Sequence, residues 1–226
     1  MKKNATHISI IIDRSGSMSS MAKEVVSGFN SLLNKQVEAS GETSEATMTV
    51  VQFDHEYQVL NDFIKINKVK ELDANTYIPR GNTALLDAMG KAIEDVRSKI
   101  NNLEDNEKPS KAIFVFITDG EENCSKQYSR ERVFEMIEDL KSESKEENSI
   151  DWDFVFIGAN QDAISAGGSF GIARGASLTY ASSGDGATSA FTSLSEGLTS
   201  YRCATKGAAY SFSDEDRKEQ EKLMNR

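Results

Sequence analysis

Three short stretches of the sequence carry oxygen-bearing side chains that could hold a metal ion. The first is Asp13-Arg14-Ser15-Gly16-Ser17 in "IIIDRSGSMSS", and the others hold Thr83 in "RGNTALLDA" and Asp119 in "FVFITDGEEN". Two carboxylates and three hydroxyls, without His or Cys, make a hard-oxygen donor set that suits Mg²⁺, with Mn²⁺ or Ca²⁺ as alternatives. Asp13, Ser15 and Ser17 alternate along the chain, so they can converge on one ion if the loop is tight.

The elements around these stretches predict where they lie. Thr6–Ile12 and Ala112–Thr118 are apolar runs typical of buried strands, and they end just before Asp13 and Asp119. An apolar stripe at helical spacing predicts a long helix that opens at Thr83. Further strands are predicted at Ala46–Phe53, Gln58–Phe63, Trp152–Ile157 and Ala176–Tyr180, and helices at 19–36, 130–142 and 187–201, with short ones around Val69–Leu72, within 158–172 and after Ser213.

Strands that alternate with helices predict an α/β fold with a doubly wound, mainly parallel central sheet and helices on both faces. The "DHEY" turn predicts a hairpin, which adds one antiparallel edge strand. Following the strand directions through that hairpin brings Asp13, Thr83 and Asp119 to the carboxyl edge of the sheet. Ligands bind at this edge in such sheets, where the strand order reverses. A parallel third strand would instead put Thr83 at the wrong end.

Composition narrows the partners and the compartment. The formal net charge is −10, and no Lys- or Arg-rich block interrupts it. Nucleic acid and anionic membranes are therefore poor partners, because both are bound through clustered cations. Cys124 and Cys203 lack the spacing of a zinc site or a disulfide framework, so we expect free thiols in a reducing cytoplasm. The apolar run at the N-terminus is too short for a signal peptide or a membrane span.

With its motif elements in the expected order, the chain resembles a von Willebrand factor type A (vWA) domain with a metal-ion-dependent adhesion site (MIDAS). The D-x-S-x-S pattern stands at residues 13–17, the second-loop threonine at Thr83 and the third-loop aspartate at Asp119. The resemblance implies a Rossmann-like domain over residues 1–204, followed by a charged tail, 205–226, that could form a short helix. It also implies a Mg²⁺-type site that captures an Asp or Glu carboxylate of a protein partner. Stand-alone bacterial and phage members, which this chain resembles, act as scaffolds or adaptors, some beside AAA+ ATPases.

Simpler interpretations compete with each element of this pattern. "DRSGSMSS" could be only a turn with a helix cap, and Thr83 only a helix N-cap. Glu121, Glu122 and Asn123 are expected in a solvated loop, with a smaller chance of lining the site. Asn160, Gln161 and Asp162 could shape a partner surface, although capping is the simpler role for Asp162.

Two other functions remain open beside the protein-binding module, which we expect not to be an enzyme. A metal-assisted hydrolase would need a general base near the ion, and only Glu121 or Glu122 is available. The chain has neither a P-loop nor a G-x-S-x-G nucleophile motif. The third possibility is a scaffold whose metal site is vestigial.

Overall fold

The computed structural model describes residues 2–41, 45–146, 149–159 and 162–226. Within these residues, strands and helices alternate along the chain as the hydrophobic pattern predicts. The strands are β1 (Lys2–Asp13), β2 (Ala46–Phe53), β3 (Tyr57–Lys65), β4 (Pro109–Thr118), β5 (Asp151–Ala159) and β6 (Ser177–Tyr180), and the α-helices are α1 (Ala22–Glu38), α2 (Leu85–Asn101), α3 (Arg130–Glu143), α4 (Ala163–Ser169), α5 (Gly184–Cys203) and α6 (Asp214–Met224).

The described strands form one sheet in the order β3-β2-β1-β4-β5-β6. All neighbouring pairs are parallel except β2 and β3, which pair antiparallel and put β3 at one edge. The order reverses at β1, since β2 lies on one side of it and β4 on the other. Asp13 at the end of β1 and Asp119 just after β4 therefore flank the switch point. The predicted α/β fold and its antiparallel edge strand are confirmed.

Helices cover both faces of this sheet. The chain moves from β1 to β2 through α1 and returns across β1 to β4 through α2, so right-handed crossovers place these two helices on opposite faces. Helix α5 packs against α1, and α3 packs against α2. The core between the layers is strongly apolar. The central strand β4 and residues 5–13 of β1 bury nearly every side chain, as expected for strands covered on both faces.

Several element boundaries differ from the sequence prediction. A 3₁₀ helix, Gly16–Met21, precedes α1, and α2 begins at Leu85 rather than Thr83. The short helix predicted around Val69–Leu72 is wrong, because the helical turn lies at Ile66–Lys68. Asp162 does cap α4, accepting a hydrogen bond from the Ser165 backbone. The expectations for Asn160 and Gln161 lie outside the described residues.

The C-terminal segment contains the expected helix. A capping box formed by Ser213 and Asp216 begins α6. The buried Gln220 accepts a hydrogen bond from the Ala181 backbone and donates one to the Gly186 carbonyl, which ties α6 to the start of α5. Cys124 and Cys203 are both free thiols, as predicted. Among the described helices, none has both the length and the apolarity needed to cross a membrane.

Candidate metal centre

The loop after β1 is tightly folded around its own carboxylate. The Ser15 backbone N–H donates to Asp13 Oδ1 at 2.6 Å, and the Ser15 and Ser17 hydroxyl oxygens lie 3.1 Å apart. Ser15 stands at the N-cap position of the 3₁₀ helix, but its side chain makes no capping hydrogen bond. The turn of the simple interpretation is present, since the Asp13–Ser15 bond closes an Asx turn. The side-chain cap is absent, because the Ser15 hydroxyl meets Ser17 instead.

The loops after β1 and β4 and the segment before α2 meet at one point. Ser17 Oγ donates to Asp119 Oδ1 at 2.6 Å, which joins the loops after β1 and β4. A Cβ placed on Gly120 would lie 3.1 Å from Thr83 Oγ1 and 3.6 Å from Ser17 Oγ, so the Thr83 hydroxyl faces the same small space. Thr83 does not cap α2, because Ala84 occupies the N-cap position and no side chain there makes the capping bond. The structure thus brings all five predicted residues together.

Burial of these side chains is graded. Asp13, Ser15 and Thr83 are almost fully buried, with exposed fractions of 0%, 2% and 3%. Asp119 is partly exposed, and Ser17 is exposed. The oxygen atoms therefore line a cup whose floor is formed by β1 and the residues before α2. Its rim opens to solvent, so a ligand could reach the cup from outside.

Burial disfavours the ionised form of both carboxyl groups of the cup. Burial raises the pKa of Asp13 to about 6, hydrogen bonds from Thr118 and Ser15 lower it in part, and the nearby Asp119 raises it again. Burial likewise raises the pKa of the Asp119 carboxyl above its ordinary value. A cation between two such groups would favour their ionised forms. The arrangement is thus electrostatically suited to a positively charged ligand.

Three residues that the sequence interpretation did not assign support the cup. The Thr118 hydroxyl donates to Asp13 Oδ2 at 2.6 Å, and the Tyr77 hydroxyl donates to the Asp13 carbonyl at 2.6 Å. Gly81, with φ of +68°, accepts a hydrogen bond from the Gly16 backbone. Thr118 could have been found, because it precedes Asp119 at the end of a predicted strand. Tyr77 and Gly81 lie in a segment without periodicity, which gives no comparable signal.

The loop after Asp119 is more ordered than expected. The Glu122 carboxylate accepts hydrogen bonds from the backbone of Leu86 in α2 and from Cys124 and Ser125 in its own loop. Asn123 accepts a hydrogen bond from the Thr83 backbone and donates its own N–H to the Thr83 carbonyl. The solvated-loop expectation is therefore wrong for Glu122, which is partly buried and bonded to α2. Asn123 is exposed, as expected, although it also holds Thr83 in place. Glu121 is exposed, as expected.

The donor chemistry of the cup fits a hard divalent ion. It offers carboxylate and hydroxyl oxygens only, which are the ligands that Mg²⁺, Mn²⁺ and Ca²⁺ prefer. No group of three or more His, Cys, Asp or Glu side chains among the described residues is arranged to hold a metal ion. With only two carboxylates, this site would depend on the hydroxyls of Ser15, Ser17 and Thr83. Gly120 keeps the space beside two of those hydroxyls free.

Comparisons with known proteins agree on the type of domain. The sequence model of the von Willebrand factor type A domain matches residues 8–122, slightly more than half of the chain. This range includes all five residues of the cup. A search of curated proteins found no match.

Solved structures similar to this chain share its fold at low sequence identity. Proximal thread matrix protein 1 from the mussel byssus, in a form with a zinc-occupied MIDAS motif, aligns with a TM-score of 0.59 and 17% identity, covering 85% of this chain and 47% of that one. The vWF domain of the pili tip protein Mfa5 from Porphyromonas gingivalis aligns at 0.55 with 11% identity, covering 90% of this chain and 98% of that one. PilB minor pilin from Streptococcus sanguinis aligns at 0.55 with 11% identity, covering 86% and 61%. The chain thus spans about half the length of the byssus protein.

Proposed function

The chain belongs to the von Willebrand factor type A domain family, and from this premise we propose that it is a metal-dependent protein-binding module. In this proposal Asp13, Ser15, Ser17, Thr83 and Asp119 hold one divalent ion, Mg²⁺ in the first place and Mn²⁺ or Ca²⁺ as alternatives. The module takes an Asp or Glu carboxylate of a protein partner at the open rim of the cup. We assign the module to residues 1–204, with residues 205–226 as a C-terminal segment that packs onto it through Tyr210, Phe212 and Gln220.

One observation carries the proposal: oxygen atoms from three distant parts of the chain line a single cup. The Ser17–Asp119 hydrogen bond and the position of Thr83 beside Gly120 bring these atoms together. A helix cap or a solvated turn needs no such convergence. The zinc-occupied MIDAS of the similar byssus protein supports a divalent ion at this place in the fold.

In this proposal the buried and the exposed residues of the cup have different roles. Asp13 is fixed from both sides, by the Ser15 backbone and the Thr118 hydroxyl, so its carboxylate is positioned before any ligand arrives. Ser17 and Asp119 lie at the rim, where an incoming carboxylate would approach. A bound divalent ion supplies a coordination position that an external oxygen can fill.

The hydrolase alternative is weakened by the position of its candidate base. Glu122 accepts hydrogen bonds from backbone groups and also from the Ser125 hydroxyl at 2.6 Å. A carboxylate engaged in this way is a poor proton acceptor for a substrate, since its lone pairs are already used. Only the exposed Glu121 remains as a base. The similar structures named above, a byssus matrix protein and two pilus proteins, also favour a binding role.

We further propose that the module acts in the cytoplasm as an adaptor, with an AAA+ ATPase as one candidate partner. The free thiols Cys124 and Cys203 support this compartment. Affinity capture from an extract of the source cells, with Mg²⁺ or with EDTA, tests the proposal. We expect the same partner to be retained in Mg²⁺ and lost both in EDTA and with the Asp119→Asn variant. Metal-independent retention would favour the vestigial-site scaffold, and phosphoester or peptide turnover that Asp119→Asn abolishes would favour the hydrolase.

A further inference from the structure

A groove of about 780 Å³ lies directly beside the cup. Its walls come from the first residues of β3 and from the segment 75–80. Arg14 and Gln52 also contribute to its lining. Arg14 stands between Asp13 and Ser15 in the metal loop, so the groove and the cup share one wall. The Arg80 backbone N–H donates to the Arg14 carbonyl at 2.7 Å, which fixes the segment 75–80 to the metal loop.

The charges around the groove are balanced. The Arg14 guanidinium lies 3.0 Å from the buried Asp54 carboxylate and 3.7 Å from Glu56. Arg80 pairs with the same two carboxylates, at 2.9 Å from Asp54 and in closer contact with Glu56. Two cations thus face two anions. A charged side chain entering the groove would meet no uncompensated partner among these four groups, so its desolvation would be unfavourable.

The groove nevertheless offers contacts to an uncharged ligand. Gln52 is 2% exposed, and its amide nitrogen donates to Gln58 Oε1 and to the Thr76 carbonyl. Its amide oxygen has no hydrogen-bond partner among the described residues, but this atom is itself buried, so Gln52 closes the inner wall of the groove and offers no accessible acceptor. At the rim, Ile78 is 54% exposed, an unusual exposure for a large aliphatic side chain in this molecule. Leu60 adds a second apolar contact from β3.

We propose that this groove is a specificity subsite for the partner segment that flanks the metal-bound carboxylate. The preferred segment is uncharged, with an aliphatic side chain packed on Ile78 and Leu60. The inference rests on the proposed function, because the shared wall matters only if a partner carboxylate occupies the cup. The inference extends the proposed function, because it specifies which partner sequences the module prefers.

Short synthetic peptides with one central Asp test the subsite. Their flanking residues are all glycine, or include Val, or include Lys, or include Glu, and binding is measured in Mg²⁺ and in EDTA. In Mg²⁺ we expect the Val peptides to bind about fivefold more tightly than the glycine peptides, as burial of one aliphatic side chain would give. The Lys and Glu peptides should gain nothing.

A pair of matched variants locates this preference. Ile78→Ser and Val59→Ser both shorten an exposed aliphatic side chain, but Ile78 lines the groove and Val59 is not among its lining residues. We expect Ile78→Ser to abolish the fivefold advantage and Val59→Ser to keep it, with both variants folded, since neither residue is in the core.

The outcomes separate this inference from the proposed function. Mg²⁺-dependent binding without a flank preference, or a preference that survives Ile78→Ser, would overturn the subsite and leave the metal-dependent capture intact. The absence of Mg²⁺-dependent binding for every peptide would instead contradict the proposed function, and the subsite with it. A wild-type dimer in sedimentation experiments that Ile78→Ser dissociates would assign the groove to a second copy of the chain and overturn the proposal.

Discussion

Ser17 Oγ and Asp119 Oδ1 lie 2.6 Å apart, although 102 positions separate the two residues in the chain. The parallel pairing of β1 with β4 makes this contact possible, since it brings the ends of both strands to the same edge of the sheet. The contact joins the two loops that carry the carboxylates of the candidate site. We therefore expect substitutions in either loop, after β1 or after β4, to change metal binding.

Gly120 tests whether the space inside the cup matters. We expect Gly120→Ala to weaken Mg²⁺ binding, because the added Cβ would lie 3.1 Å from Thr83 Oγ1 and displace that hydroxyl. The measurement is the increase in melting temperature on adding Mg²⁺, which should shrink markedly in the variant. Gly168→Ala is the matched control, since a Cβ there meets nothing within 4 Å. An equal Mg²⁺ effect in both variants would argue against the position assigned to Thr83.

Glu122 tests the structural role of the loop after Asp119. We expect Glu122→Ala to lower the free energy of unfolding by about 2–3 kcal/mol, since several backbone donors lose a charged acceptor. Chemical denaturation measures this change. The neighbouring Glu121→Ala removes the same charge from an exposed position and should leave stability nearly unchanged. Comparable losses in the two variants would mean that the hydrogen bonds of Glu122 contribute little.

The raised pKa of Asp13 predicts how metal affinity depends on pH. Its pKa is raised to about 6 in the metal-free protein, so the carboxyl is largely protonated below that pH and cannot bind a cation. We expect Mg²⁺ affinity to be flat above about pH 7 and to fall by up to about tenfold per pH unit below pH 6. Calorimetric titrations at several pH values measure this. Affinity that is constant from pH 5 to 7 would contradict the assignment of Asp13 as a ligand.

The raised pKa of Asp13 also predicts how the stability of the metal-free protein depends on pH. Whereas metal affinity increases with pH, this stability should decrease. An acid whose pKa is raised from 3.8 to about 6 on folding binds more protons in the native state. The metal-free protein should therefore lose stability as pH rises between about 4 and 6, by roughly 3 kcal/mol from Asp13 alone. Denaturation in EDTA across this range measures the loss. Asp13→Asn should flatten the profile, and an unchanged slope in that variant would assign the effect to other groups.

The sequence predicted what depends on local hydrophobic pattern and on chain direction. The apolar runs before Asp13 and Asp119 located β1 and β4, and the hairpin after Phe53 correctly placed Thr83 at the carboxyl edge of the sheet. These features follow from periodicity and connectivity. The family resemblance gave the same five residues, and their metal-binding role stays a prediction.

What the sequence did not predict depends on contacts between distant residues. Glu122 looked like one acid in a polar run, and only the packing of its loop against α2 makes it an acceptor for the Leu86 backbone. Arg14 had no predicted role in the metal loop, yet its side chain is buried against Asp54. No local pattern distinguishes these residues from exposed ones, because their partners lie on other elements. The groove beside the cup was missed for the same reason.

Calorimetric titration of the metal-free protein with Mg²⁺ at neutral pH, for the wild type and Asp119→Asn, measures whether the cup binds a metal ion through Asp119. Asp119 is preferred to Asp13 because it is only partly buried, so its replacement should disturb folding less. Glu121→Gln removes one negative charge nearby and serves as the control. We expect one site in the wild type and in Glu121→Gln, and at least about tenfold weaker binding in Asp119→Asn. Wild-type protein that gives no heat with Mg²⁺, Mn²⁺ or Ca²⁺, or equal affinity in all three proteins, would contradict this expectation.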